Sequence, residues 1–169
     1  MGAKKWLLLG SVVGALIIVG CGEPKSGVSK ENKEYRKETK DAPKWVVGEL
    51  SKVNMHDKQY SDLFLARGSY EIVSGDVSFA TDQATAAART KLAANLKSTL
   101  LGEIKSAKTR MGQDLDKQAS TKVDQAVERE LVATKQVAEW VGKDRVWVLV
   151  GLDQGIVSKI RSELGLQSK

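Results

Sequence analysis

Residues 135–153 read KQVAEWVGKDRVWVLVGLD, and the reading of this stretch decides the fold. In its second half Val146, Val148, Val150 and Leu152 alternate with Arg145, Trp147 and Leu149. That period of two sends successive side chains to opposite faces of a strand. In its first half Lys135, Val137, Glu139 and Val141 alternate with Gln136, Ala138 and Trp140. Gly142-Lys143-Asp144 separates the two runs, a three-residue connection with a glycine, as a short hairpin requires. A helix continuing to Trp140 is the competing reading. The hairpin is preferred because an isolated alternating strand has no partner for its backbone N–H and C=O groups. Trp140 and Trp147 could then face each other, either as a cross-strand packing pair or as an exposed interaction surface.

Outward from the hairpin, Ser120–Leu131 turns Val123, Val127 and Leu131 to one side of a helix, with Thr121 and Asp124 at a spacing close to that of a capping box. Residues 108–118 contain Gly112 and little periodicity, which suggests a loop. Before it, Ala84, Ala88, Leu92, Leu96, Leu100 and Ile104 recur every fourth residue, with Ala87 and Ala93 widening the stripe. This predicts a long helix beginning at Thr81, with the threonine as its cap. Its small residues permit close approach to a sheet. Residues 62–73, DLFLARGSYEIV, favour a strand, in which Gly68 marks either a bulge or a helix packed close, and Ser74-Gly75-Asp76 a turn. After the hairpin, Asp153 caps a last helix with the stripe Ile156, Val157, Ile160 and Leu164, ended by Gly165. Trp45, just after Pro43, is expected as a buried lid at the core's edge. The result is an α+β domain over residues 43–169: a small three-stranded antiparallel sheet packed by helices.

The N-terminus has a different character. Lys4 and Lys5 precede an uncharged run from Trp6 to Val19. Fourteen residues are too few for a spanning helix, which needs about 20, and the order of basic, apolar and small residues describes a secretory signal over residues 1–20. Ile18-Val19-Gly20-Cys21 resembles a bacterial lipobox. Cys21, the only cysteine of the 169 residues, would receive diacylglycerol on its sulfur and an acyl group on its new amine. Membrane attachment would then be covalent, through lipid. Residues 21–42, rich in Gly, Ser, Pro and mixed charges, are expected to form a flexible lipidated tether, with a fraying helix near Lys30–Lys40. Extended, it would reach about 70 Å at roughly 3.3 Å per residue.

The sequence offers little for catalysis. One histidine, His56, allows no His pair for a metal, and its polar surroundings suggest a solvated loop. A lone cysteine committed to lipid excludes thiol catalysis, a disulfide and a cysteine zinc cluster. Neither a glycine-rich phosphate loop nor a GxSxG or HExxH motif is present. Asp57 and Asp62 could be paired, and Lys105, Lys108 and Arg110 form a small basic cluster. The formal charge of +6 comes from intermixed signs, and loss of the leader would leave about +4. That is a solvated surface rather than a nucleic-acid footprint. Neither an enzyme nor a cofactor or metal is expected.

APKWVVGEL (42–50), DQATAAARTKLAANLKSTL (82–100) and VGKDRVWVLVGLD (141–153) resemble, in this order, the Helicobacter-type twenty-kilodalton membrane-associated lipoprotein family. The resemblance implies an outer-membrane lipoprotein, known as a surface antigen in the family's namesake, with a protein partner or self-association. Relatives include a flagellar basal-disc lipoprotein that assembles into rings, which gives an envelope-ring subunit as the alternative. It brings no catalytic residues and matches the modification site at Cys21. Gly22 follows that cysteine, in place of the aspartate associated with inner-membrane retention.

Overall fold

The computed structural model describes residues 30–56, 58–110 and 117–166. The readings placed on the leader, the lipobox Ile18-Val19-Gly20 and Cys21 lie outside the described residues. The elements are α1 (Lys30–Glu38), α2 (Lys44–Val47), α3 (Leu50–His56), β1 (Leu63–Glu71), α4 (Val77–Arg110), α5 (Lys117–Glu130), a 3-10 turn (Leu131–Ala133), β2 (Lys135–Val141), β3 (Arg145–Asp153) and α6 (Gln154–Glu163). The hairpin is β2–β3, and β3 lies at the centre of an antiparallel sheet of order β1-β3-β2. Leu63 pairs with Asp153 and Glu71 with Arg145. Trp140 lies opposite Trp147 and Val141 opposite Val146, with one register shift between Gln136 and Ala138.

A central strand buried on both faces must be apolar on both, and Val146–Leu152 is buried throughout. On one face Ala66, Val146, Val148, Val150 and Leu152 meet the stripe Ala84, Ala88, Leu92, Leu96 and Leu100 of α4. Val123 and Val127 of α5 and Val157 and Ile160 of α6 complete this core. On the other face Leu65, Trp147 and Leu149 meet Trp45, Val46 and Tyr60, with Leu50 and Val53 of α3 alongside. Trp45 thus occupies the lid position, 6% exposed.

Gly68 marks close helix packing. A Cβ there would lie 3.0 Å from the Ala87 carbonyl carbon and closer still to Ala84 O and Ala88 N. The helix backbone rests on the strand because neither side offers more than a methyl group. The irregularity that a strand glycine also signals is in β2, at Gln136/Ala138.

Several boundaries differ from expectation, each for a local reason. α4 begins at Val77, a turn before Thr81, because Asp76 Oδ1 accepts from Phe79 N at 2.9 Å and caps it. The Thr81 hydroxyl instead reaches Glu139 Oε1 of β2, at 3.4 Å. α4 continues through Arg110, so residues 108–110 are helical rather than loop. α5 starts at Lys117, and Thr121 Oγ1 bonds back to Lys117 O at 3.1 Å, so it is an interior residue and no cap. His56 closes α3 rather than sitting in a loop. Asp153 does cap α6, Oδ1 accepting from Gly155 N at 2.6 Å. Gly165, at φ 71°, ends that helix, with Leu166 N donating to Arg161 O at 2.9 Å. Two cross-helix contacts fix the outer layer. The Arg161 guanidinium holds Glu103 through two bonds of 3.0 Å, and Lys97 reaches Asp124 at 3.0 Å and Glu128 at 3.1 Å.

Candidate functional site

The tryptophans proposed from the sequence are brought together by the hairpin register. Their ring centroids are 5.0 Å apart, with planes tilted by 51°. Trp147 is 3% exposed and belongs to the core beneath α2 and α3. Trp140 is half-buried. Only Trp140 therefore offers ring surface, and the pair is not an open aromatic patch. The hairpin glycine serves this pair: a Cβ on Gly142 would lie 2.9 Å from Cζ3 of Trp147 and 3.1 Å from Cζ3 of Trp140.

Trp140 borders a groove of about 680 Å³ between the hairpin turn and the end of α1, where Lys37, Glu38 and Asp41 face Lys143 and Asp144. α1 falls within the segment expected as a tether, and it is docked. Tyr35 Oη donates to Val46 O at 3.4 Å, and Thr39 is buried, its hydroxyl donating to Tyr35 O at 2.7 Å. Glu38 Oε1 is buried without a hydrogen-bond partner. Burial raises the Glu38 carboxyl above its ordinary value of 4.5; the Arg145 guanidinium opposes this, while Asp144 and Glu71 add to it. Arg145 is itself engaged by Glu71, its Nη2 donating to Oε1 at 2.8 Å.

A second groove, about 630 Å³, runs beside α2 and α3 and is lined by Pro43, Trp45, Val47, Val53 and Tyr60, with Lys44 and Lys52 at its rim. Lys52 is paired with Glu49 at 3.1 Å. Arg67 of β1 ties down the chain that lines this groove. Its Nη1 donates to Trp45 O at 2.9 Å and to Gly48 O at 2.6 Å, so one guanidinium satisfies carbonyls at the end of the single turn of α2. A strand arginine amid apolar neighbours gave no sign of this contact in the sequence.

Lys105, Lys108 and Arg110 lie along the last two turns of α4. The suggested pairing of Asp57 with Asp62 lies outside the described residues, since Asp57 does. Among the described residues there is no group of three or more His, Cys, Asp or Glu side chains able to hold a metal ion. No described helix is long and apolar enough to cross a membrane. Sequence reading also missed an exposed apolar cluster at the β1–α4 corner: Tyr70, Val73, Val77 and Phe79. Its signal was present in YEIVSGDVSF, where apolar residues flank a turn that a core would not use.

The family model for LPP20 lipoprotein matches residues 43–153. No curated protein matches the chain.

Proposed function

Because the chain belongs to the LPP20 lipoprotein family, and is thus a membrane-associated lipoprotein, we propose that it is an outer-membrane lipoprotein acylated at Cys21. In this reading it presents a non-enzymatic interaction domain, in a surface-antigen or adhesin-like role. The observation that carries this is the extent of the match. Residues 43–153 run from the turn that opens α2 to the last residue of β3. What the family shares is therefore the three-stranded sheet with the helices from α2 to α5, most of a packed domain rather than a pocket or a motif. Residues 1–20 serve as the signal peptide in this reading, residues 21–42 link lipid to domain, and residues 43–169 form the domain. Two or more acyl chains supply about 0.8 kcal/mol per buried methylene, enough for stable anchoring without a spanning helix. The work of the protein is then to hold a surface at a fixed place.

Cys21→Ala is expected to abolish incorporation of a clickable palmitate analogue and to move the protein out of the membrane fraction. Retained acylation would overturn the assignment of Cys21. Protease shaving of intact cells distinguishes surface display from a periplasm-facing role. A second reading, a structural subunit of an envelope ring such as a flagellar basal disc, is favoured by one feature: β1 and β2 are both edges of an open sheet. Negative-stain images of delipidated protein separate the two, because only a ring subunit gives regular rings or sheets.

A further inference from the structure

The corner between β1 and α4 leaves several large apolar side chains in solvent. Residues 70–82 read YEIVSGDVSFATD. Ser74 and Gly75 both take left-handed backbone, at φ 54° and 77°, and this reverses the chain tightly between strand and helix. The reversal exposes apolar side chains on both sides of it: Val73 is 55% exposed and Phe79 46%. Val77 and Tyr70 are also exposed, and the Tyr70 and Phe79 rings meet edge to face at 5.8 Å and 83°. These groups stand on rigid supports. Tyr70 is held by the β1–β3 ladder, and Phe79 by the capped first turn of α4. Ordering them on binding therefore costs little side-chain entropy.

Within this stretch the charge is one-sided. Residues 70–82 contain Glu71, Asp76 and Asp82, and no lysine or arginine. Glu71 is matched by Arg145. Asp76 and Asp82 are exposed, and they frame Val77 and Phe79 in sequence. A clustered apolar surface edged by one sign of charge selects a partner of the other sign. A second copy meeting this corner by two-fold symmetry would bring the same aspartates into the interface again and no cation to match them, which disfavours that arrangement.

We propose that the β1–α4 corner is the domain's docking surface for a cationic amphipathic segment of another protein. Its apolar side chains cover Val73, Val77 and Phe79, and its lysines or arginines meet Asp76 and Asp82. The inference rests on the reading of the domain as an interaction module and does not depend on Cys21. Anchoring is tested separately by the acylation of the Cys21→Ala variant.

The test uses the mature full-length protein in detergent and two synthetic helical peptides of equal length, one built from leucine and lysine, the other from leucine and glutamate. The lysine peptide is expected to bind, more weakly as salt rises, and the glutamate peptide at least tenfold more weakly. Phe79→Ser combined with Val73→Ser should weaken the lysine peptide about tenfold. Asp82→Lys, a surface change that leaves the apolar groups intact, should weaken it and flatten its salt dependence. Equal binding of both peptides, or unchanged binding by these variants, would overturn the proposal. In cells, a photoreactive phenylalanine analogue in place of Phe79 should crosslink to a Lys- or Arg-rich segment of a different protein. A crosslink only to a second copy, or none, would also overturn it.

Discussion

Arg67 and Gly68 are neighbours in β1, yet each belongs to a different face of the sheet, and the faces are held by opposite means. On the Gly68 side a 34-residue helix approaches until its backbone touches the strand. The packing there is made by what is missing: a side chain at Gly68 and bulk at Ala84 and Ala88. On the Arg67 side the cover is a single turn, α2, followed by the seven-residue α3. These are too short to be stable alone. They are held by a large side chain that reaches out and bonds Trp45 O and Gly48 O. One face is secured by close approach of regular structure, the other by a long polar arm and an indole lid.

The contrast is broken most severely at Gly68. Gly68→Val should cost roughly 4 kcal/mol, above the common 1–3 kcal/mol of overpacking, because the atoms it meets are backbone and cannot change rotamer. Chemical denaturation measures it, and a loss under about 1 kcal/mol would mean that α4 has room to rise. Arg67→Ala should cost about 2 kcal/mol, from two hydrogen bonds to a charged donor. The damage should be local: amide exchange should quicken at residues 44–48 while α4 is unchanged. Equal acceleration in both layers would show that the faces are one cooperative unit. The smallest effect concerns α1, the outermost layer on the Arg67 side. Burial raises the Glu38 carboxyl, so docking is fully favoured below the ordinary carboxyl value of 4.5 and weakens as pH rises through the raised value. Glu38→Gln should remove this dependence and leave residues 35–39 protected at neutral pH. A variant with an unchanged pH profile of exchange would remove Glu38 from the account.

The same contrast explains what could be read from the sequence. The Gly68 face follows from periodicity: the fourth-residue stripe of α4, the alternation in β3, and a lone strand glycine read as a bulge or a close helix. All three are local patterns with long-range meaning. The Arg67 face has no period. Four-residue α2 is too short to repeat, and the contact between Arg67 and Gly48 joins residues that no spacing rule connects. Helix ends were misplaced where a side chain had two uses. Asp76 reads as a turn residue and also caps α4, while Thr81 has cap chemistry but spends it across the sheet on Glu139. The exposed corner went unnoticed because alternating apolar residues near a turn look like any strand end. Only burial separates Val73 and Phe79 from residues that face inward.

The strand order has a kinetic consequence. The hairpin of β2 and β3 joins neighbours and can form in about 1–10 μs. β1 must wait: its partner is β3, and Leu63 meets Asp153 only when nearly the whole domain is present. Contacts of that sequence separation slow folding, since loop closure precedes any gain from pairing. Until β3 is in place, both edges of β1 lack a partner within this sheet. A chain cut short before residue 145 would therefore keep α4 and lose the strand that joins every layer, leaving β1 available for pairing with other chains.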